Sequence, residues 1–173
     1  MGFDYSVKLK PEGQLDDTSC WAACMSWWLS AMVLSSRRRG LPQGELLNLG
    51  RPYVNPDGGV GPRSLTRLAK LDAIRMDVRY VPPGSLLTDY ASIDQPLLIV
   101  FNYPEAGGTH MNVIFDQKGK SVCCMEPYYP LTVDVKAKRT GKYFRRDLTF
   151  FNKSAEIGIG CLPAAESSVP PSE

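Results

Sequence analysis

Between residues 19 and 35 apolar side chains recur at helical spacing. Trp21, Cys24, Met25, Trp28, Leu29, Met32 and Val33 follow the i, i+3, i+4, i+7 pattern, which predicts a helix with one buried face. Ser19 stands where an N-cap belongs, its hydroxyl available to a backbone N–H of the first turn, and Cys20 is then the first helical residue. Glycine and proline punctuate the chain from Gly40 to Pro62; a short helix is expected at 43–49 and another over 62–72, opened by Pro62. From 76 the pattern shifts to short β-rich runs: 76–81, 96–103, 110–116, 121–127, 131–137, 142–151 and 156–162. A turn of helix is expected within 87–93. Short turns between the runs predict a strongly bent antiparallel sheet.

Helices come first and strands second, so the fold class is α+β, with a junction between the two halves where a site is expected. The chain's 173 residues suit one domain, assigned to 1–163, and the Pro/Ser-rich end at 164–173 reads as a disordered tail.

Charge narrows the partners. A formal net charge of +2 gives no argument for nucleic acid. The basic runs at 37–39 and 136–146 read as solvated faces. The apolar run from Cys20 to Leu34 is 15 residues long, short of the roughly 20 that cross a bilayer. Its arginines follow it, whereas a signal peptide has its basic residues in front. No membrane partner is expected. Five cysteines, at 20, 24, 123, 124 and 161, make no disulfide framework. Cys123 and Cys124 are neighbours in a strand and must face opposite ways, while Cys24 and Cys161 read as buried apolar residues.

The chemistry concentrates on few positions. A thiol at a helix N-terminus is favoured as thiolate, the more so beside an imidazolium. Cys20 has the first advantage, and the chain holds a single histidine, His110, to supply the second. A third group must orient the imidazole. Glu126, at the end of the next strand, is brought back toward His110 by a turn near Lys118–Gly119; Asn112 and Asp116 are competitors by type. An oxyanion hole needs two donors: the Cys20 backbone N–H is one, and the Gln14 amide, six residues earlier, is the other.

These stretches resemble the papain-like cysteine peptidases, in the compact bacterial form found among secreted effectors and leader-processing domains. GQLDDTSCWAAC (13–24), GGTHMNVIF (107–115) and CCMEPYYP (123–130) carry the likeness. The resemblance implies a papain-like fold with the nucleophile on a central helix against a bent sheet. It implies Cys20 as nucleophile, His110 as base and acid, and Gln14 as oxyanion donor. Glu126 takes the place usually held by Asn or Asp, and Tyr128 that of an aromatic covering the His–acid pair. A thiol protease cutting peptide bonds of a protein is the implied activity, with no cofactor and no metal. The implied setting is secretion without a signal peptide and action in a target cell's cytosol, or otherwise the cytoplasm, with a cognate immunity protein over the cleft. Rival readings are an amidase acting on peptidoglycan or an acyltransferase with the same triad, a Cys/His zinc module, and a binding module with a decayed site.

Overall fold

The computed structural model describes residues 4–35, 38–82, 94–132, 134, 136–152 and 157–163; the helical turn expected within 87–93 and the tail 164–173 lie outside them. The helical half comprises α1 (Tyr5–Lys8), α2 (Cys20–Ser35), α3 (Gln43–Gly50) and α4 (Pro62–Ala69). The strands are β1 (Asp77–Val81), β2 (Leu97–Tyr103), β3 (Gly108–Lys118), β4 (Ser121–Glu126), β5 (Lys142–Asp147) and β6 (Ile157–Cys161). They form one antiparallel sheet in the order β1-β6-β2-β3-β4-β5. The α+β layout expected from the sequence is the one observed.

Three local expectations differ. First, α2 does not show one buried face: every residue from Trp21 to Leu29 is buried, while Val33 is exposed. Neighbours surround the helix, so both its faces are apolar. Trp27 stacks on Phe115 with ring centroids 5.0 Å apart, and Trp28 Nε1 donates to the Pro96 carbonyl at 2.9 Å. Second, the Ser19 hydroxyl turns back into the preceding loop, accepting from Asp16 N–H at 3.0 Å, while the Ser19 carbonyl takes the first helical bonds from Ala22 and Ala23. Third, the described part of 131–137 forms no strand. The Asp134 carboxylate accepts from Lys136 N–H and its carbonyl from Ala137 N–H, and a side chain that bonds its own backbone in this way favours a turn over a ladder.

The sheet separates two apolar layers. Met111, Val113, Phe115, Cys123 and Met125 join α2 in the larger core, and Ile99, Phe101, Ile114, Val122 and Cys124 join Leu148 and Phe151 in the smaller. Cys123 and Cys124 thus face opposite ways, as alternation requires. Cys161 is only partly buried, contrary to expectation, because β6 ends there at the margin of the sheet.

The β3–β4 hairpin is irregular. Lys118 pairs with Ser121, but the register shifts by one before Phe115 pairs with Cys123. Asp116 lies in this bulge with a φ of 50°, and Arg145 from β5 grips it through both its carbonyl and its carboxylate.

Candidate active site

Three segments converge on a cleft of about 410 Å³ whose lining includes Asp17, Cys20, Trp21, Asp57, Val60 and His110. One wall is the 55–61 turn, closed by the bond from Asn55 N–H to the Gly59 carbonyl at 2.8 Å. The other begins at Gly107, whose φ of 86° ends the 3₁₀ turn Pro104–Ala106, a conformation that suits glycine.

Cys20 starts α2 and is half-exposed, whereas Cys24, one turn inside, is buried with its Sγ 3.2 Å from the Met111 carbonyl. Burial pushes the Cys24 thiol well up, which keeps it protonated. His110, near the start of β3, is 3% exposed and lines the cleft together with Cys20, whose thiol raises its proton affinity. Its Nε2 lies 2.6 Å from Glu126 Oε1, which leaves Nδ1 for the thiol. Phe101, Tyr103 and Tyr128 surround the imidazole, with ring centroids 6.1, 5.7 and 6.2 Å away.

Glu126 is fully buried. Its Oε1 also accepts from the Tyr128 backbone N–H at 3.0 Å. Its Oε2 takes Asn112 Nδ2 at 3.2 Å and Arg146 Nη1 at 3.4 Å. Of the three groups able to orient the imidazole by type, Glu126 meets it. Asn112 stands behind Glu126, and Asp116 lies in the bulge bonded to Arg145.

Proton affinities follow from these contacts. Burial pulls His110 toward its neutral form, but the bonds to Cys20 and Glu126 outweigh it and carry its pKa up to about 9. Burial pushes Glu126 upward, yet the bond from His110 and the imidazolium charge, with Tyr128 N–H and Asn112, hold it below its ordinary value. The geometry therefore favours a protonated imidazole between a sulfur and a carboxylate.

Gln14 is 3% exposed. Its backbone N–H donates to the Pro127 carbonyl at 3.1 Å, and its Nε2 to the Asp16 carbonyl at 2.7 Å. Gln14 is not among the residues lining the cleft; it borders an adjoining recess with Asp16, Asp17 and Arg139. Its Oε1 has no hydrogen-bond partner among the described residues. An amide carries two N–H bonds, so one donor beyond the Asp16 bond remains.

Two arginines of the basic run at 136–146 are not solvated. Arg139 is buried, its guanidinium 3.9 Å over the Tyr128 ring and bonded to the Pro130 carbonyl. Arg146 lies 4.1 Å over the Phe150 ring. Sequence reasoning missed both because a clustered charge run looks the same whether its members face water or a carboxylate. The usable signal was alternation: on β5, Arg146 shares a face with Phe144. All five cysteines are free, and among the described residues no group of three or more His, Cys, Asp or Glu side chains is placed to hold a metal ion. No described helix is long and apolar enough to cross a membrane.

No protein-family model matches the chain, and no curated protein matches it. Among solved structures it resembles the peptidase domain of Streptococcus ComA, described as a bi-functional ABC transporter involved in a quorum-sensing pathway. The TM-score is 0.59 at 15% identity, over 89% of this chain and 98% of that one. The fold of this chain thus resembles that of the ComA peptidase domain.

Proposed function

We propose that the chain is a cysteine peptidase. The observation that carries this is the imidazole of His110, which lines one cleft with half-exposed Cys20, has its proton affinity raised by that thiol, and lies 2.6 Å from buried Glu126. A nucleophile, a base and an orienting acid from three separate elements form one connected chain. A merely structural histidine would not need a half-exposed thiol at the mouth of a cleft.

In this reading the Cys20 sulfur, its proton already resident on His110, attacks a substrate carbonyl carbon. The Cys20 N–H at the start of α2 stabilises the oxyanion, and the Gln14 amide becomes its second donor when its side chain turns from the adjoining recess into the cleft. His110 protonates the leaving amine, which departs as the thioester forms. The same imidazole then takes a proton from water, which attacks the thioester and returns the thiol. Glu126 keeps the ring aligned and balances its charge. Tyr128 covers the His110–Glu126 pair from water.

The ComA likeness favours a setting in which the peptidase serves an exporter and trims a peptide. The secreted-effector setting, with a cognate inhibitor over the cleft and no signal peptide, rests on the resemblance of three sequence stretches alone. Amidase or acyltransferase chemistry would use the same three side chains on another carbonyl. One experiment separates these: wild type, Cys20→Ala and His110→Ala are incubated with cell lysate and, separately, with muropeptides, and new termini are read by mass spectrometry. Either substitution is expected to lower cleavage by roughly 10³-fold or more. Unchanged cleavage in either variant overturns the assignment, and products from muropeptides alone move it to amidase.

A further inference from the structure

Arg146 is a charged side chain beside the acid for which the proposed reaction has no use. It reaches from β5 to the acid, and its side chain is only 11% exposed. Its Nη1 donates to Asn112 Oδ1 at 3.0 Å and to Glu126 Oε2 at 3.4 Å, while Asn112 Nδ2 donates to the same Oε2 at 3.2 Å. Asn112 and Arg146 thus brace one carboxylate oxygen and each other. The guanidinium is itself held, 4.1 Å over Phe150 and 4.9 Å over Phe144, with a hydrogen bond to Tyr103. Oε1 is left for His110 and the Tyr128 N–H. A glutamate has one more rotatable bond than the Asn or Asp that the papain-like resemblance leads one to expect, and the brace removes that freedom.

We propose that Arg146 is a positioning residue: with Asn112 it fixes Glu126 Oε2 so that Oε1 meets His110, and its charge favours the carboxylate anion over the acid. This rests on the reading of Cys20, His110 and Glu126 as a thiol-hydrolase site. Other charged or titratable groups face Glu126 from every side. Cys24 comes from α2, Tyr103 from β2, His110 from β3 and Cys124 from β4 itself. Lys142, opposite Glu126 in the β4–β5 register, directs its ammonium over the Tyr129 and Phe144 rings. Among the described residues, His110 and Arg146 are the cations that pair with the carboxylate.

The test reads Cys20 directly and needs no substrate. Alkylation of Cys20 by iodoacetamide is followed against pH by mass spectrometry of its peptide. Wild-type Cys20 is expected to react at pH 6 faster than free cysteine, and His110→Ala to abolish the excess; if it does not, the reading of the site falls and the proposal with it. With that excess present, Arg146→Gln and Arg146→Met raise the acid-side midpoint by about one pH unit or more, the size of shift an adjacent opposite charge produces. Arg146→Lys keeps the wild-type midpoint while the rate falls, because an ammonium keeps the charge but lacks the planar guanidinium held on the Phe150 and Phe144 rings. In a Glu126→Gln background, Arg146→Gln adds no further shift. The proposal is overturned if the Gln and Met midpoints stay put, if Lys shifts as far as Gln, or if the shift persists without Glu126. Failure of both the Gln and Met variants to fold would assign Arg146 to the fold alone and also overturn it.

Discussion

At the scale of single residues, the site is a contest between burial and partners, and His110 shows partners winning. Its pKa of about 9 lies above the ordinary 6.5, so its contribution to stability is complete below 6.5 and is lost as pH rises through about 9. Glu126 is held below its ordinary 4.5, so its contribution is complete above 4.5 and is lost as pH falls below that. The two together predict a plateau of thermal stability between about 4.5 and 6.5, with an alkaline decline that disappears in His110→Ala; calorimetry across pH reads it. Cleavage by the proposed reaction should fall on the alkaline side near pH 9 as the imidazole loses its proton, and Glu126→Gln should move that limb to lower pH. An unmoved limb in Glu126→Gln would separate the acid from the base. That His110 would meet Glu126 on the cleft lined by Cys20 was legible in the sequence, because a lone histidine leaves a cysteine few partners. Arg146 and the support from Asn112 were not, since they depend on which face of β5 and β3 turns to the acid.

At the scale of elements, the bulge in the β3–β4 hairpin decides the site. Side chains alternate along a strand, so a register slip of one residue turns a whole strand over. In the register on the far side of the bulge, set by Lys118 opposite Ser121, Glu126 would fall level with Val113, on the side of α2. The shift before Phe115 brings Glu126 level with Asn112, on the face that carries His110. Asp116→Val puts a β-branched residue at the positive φ of the bulge and disfavours it; pairing that instead runs on in the Lys118–Ser121 register removes Glu126 from the imidazole, so Cys20 alkylation is expected to slow to the rate of free cysteine, with the sheet retained by circular dichroism. An Asp116→Val variant as reactive as wild type would show that the bulge is dispensable. The sequence hides this feature, because no glycine or proline marks Asp116. A second element-scale constraint is the approach to Gln14. A Cβ on Gly13 would collide with the Arg139 carbonyl, so Gly13→Ala must push the two segments apart. Overpacking of this kind costs about 1–3 kcal/mol, measurable by urea titration.

At the scale of the whole molecule, the strand layout was largely readable from alternating short runs, but the strand order was not. Sequence pattern reports periodicity within a segment and says little about which segments pair. The surround of α2 was equally hidden: only tertiary packing shows that a helix with one expected face is enclosed on all sides. All three tryptophans lie on this helix, together with the half-exposed Cys20. Loss of the fast Cys20 alkylation and the change in intrinsic fluorescence should therefore coincide in a urea titration, as in an all-or-none transition. An earlier loss of reactivity would instead reveal local opening at the start of α2.

The position of β6 has a consequence for biosynthesis. It is the latest of the described strands in the chain, yet it lies inside the sheet, between β1 and β2. A ribosome that has delivered everything up to Asn152 has produced both flanking strands with their inner edges unpaired, and unpaired edges recruit other chains. Translation interrupted there would yield material prone to clumping, and the sheet can close only once Ile157–Cys161 has left the exit tunnel.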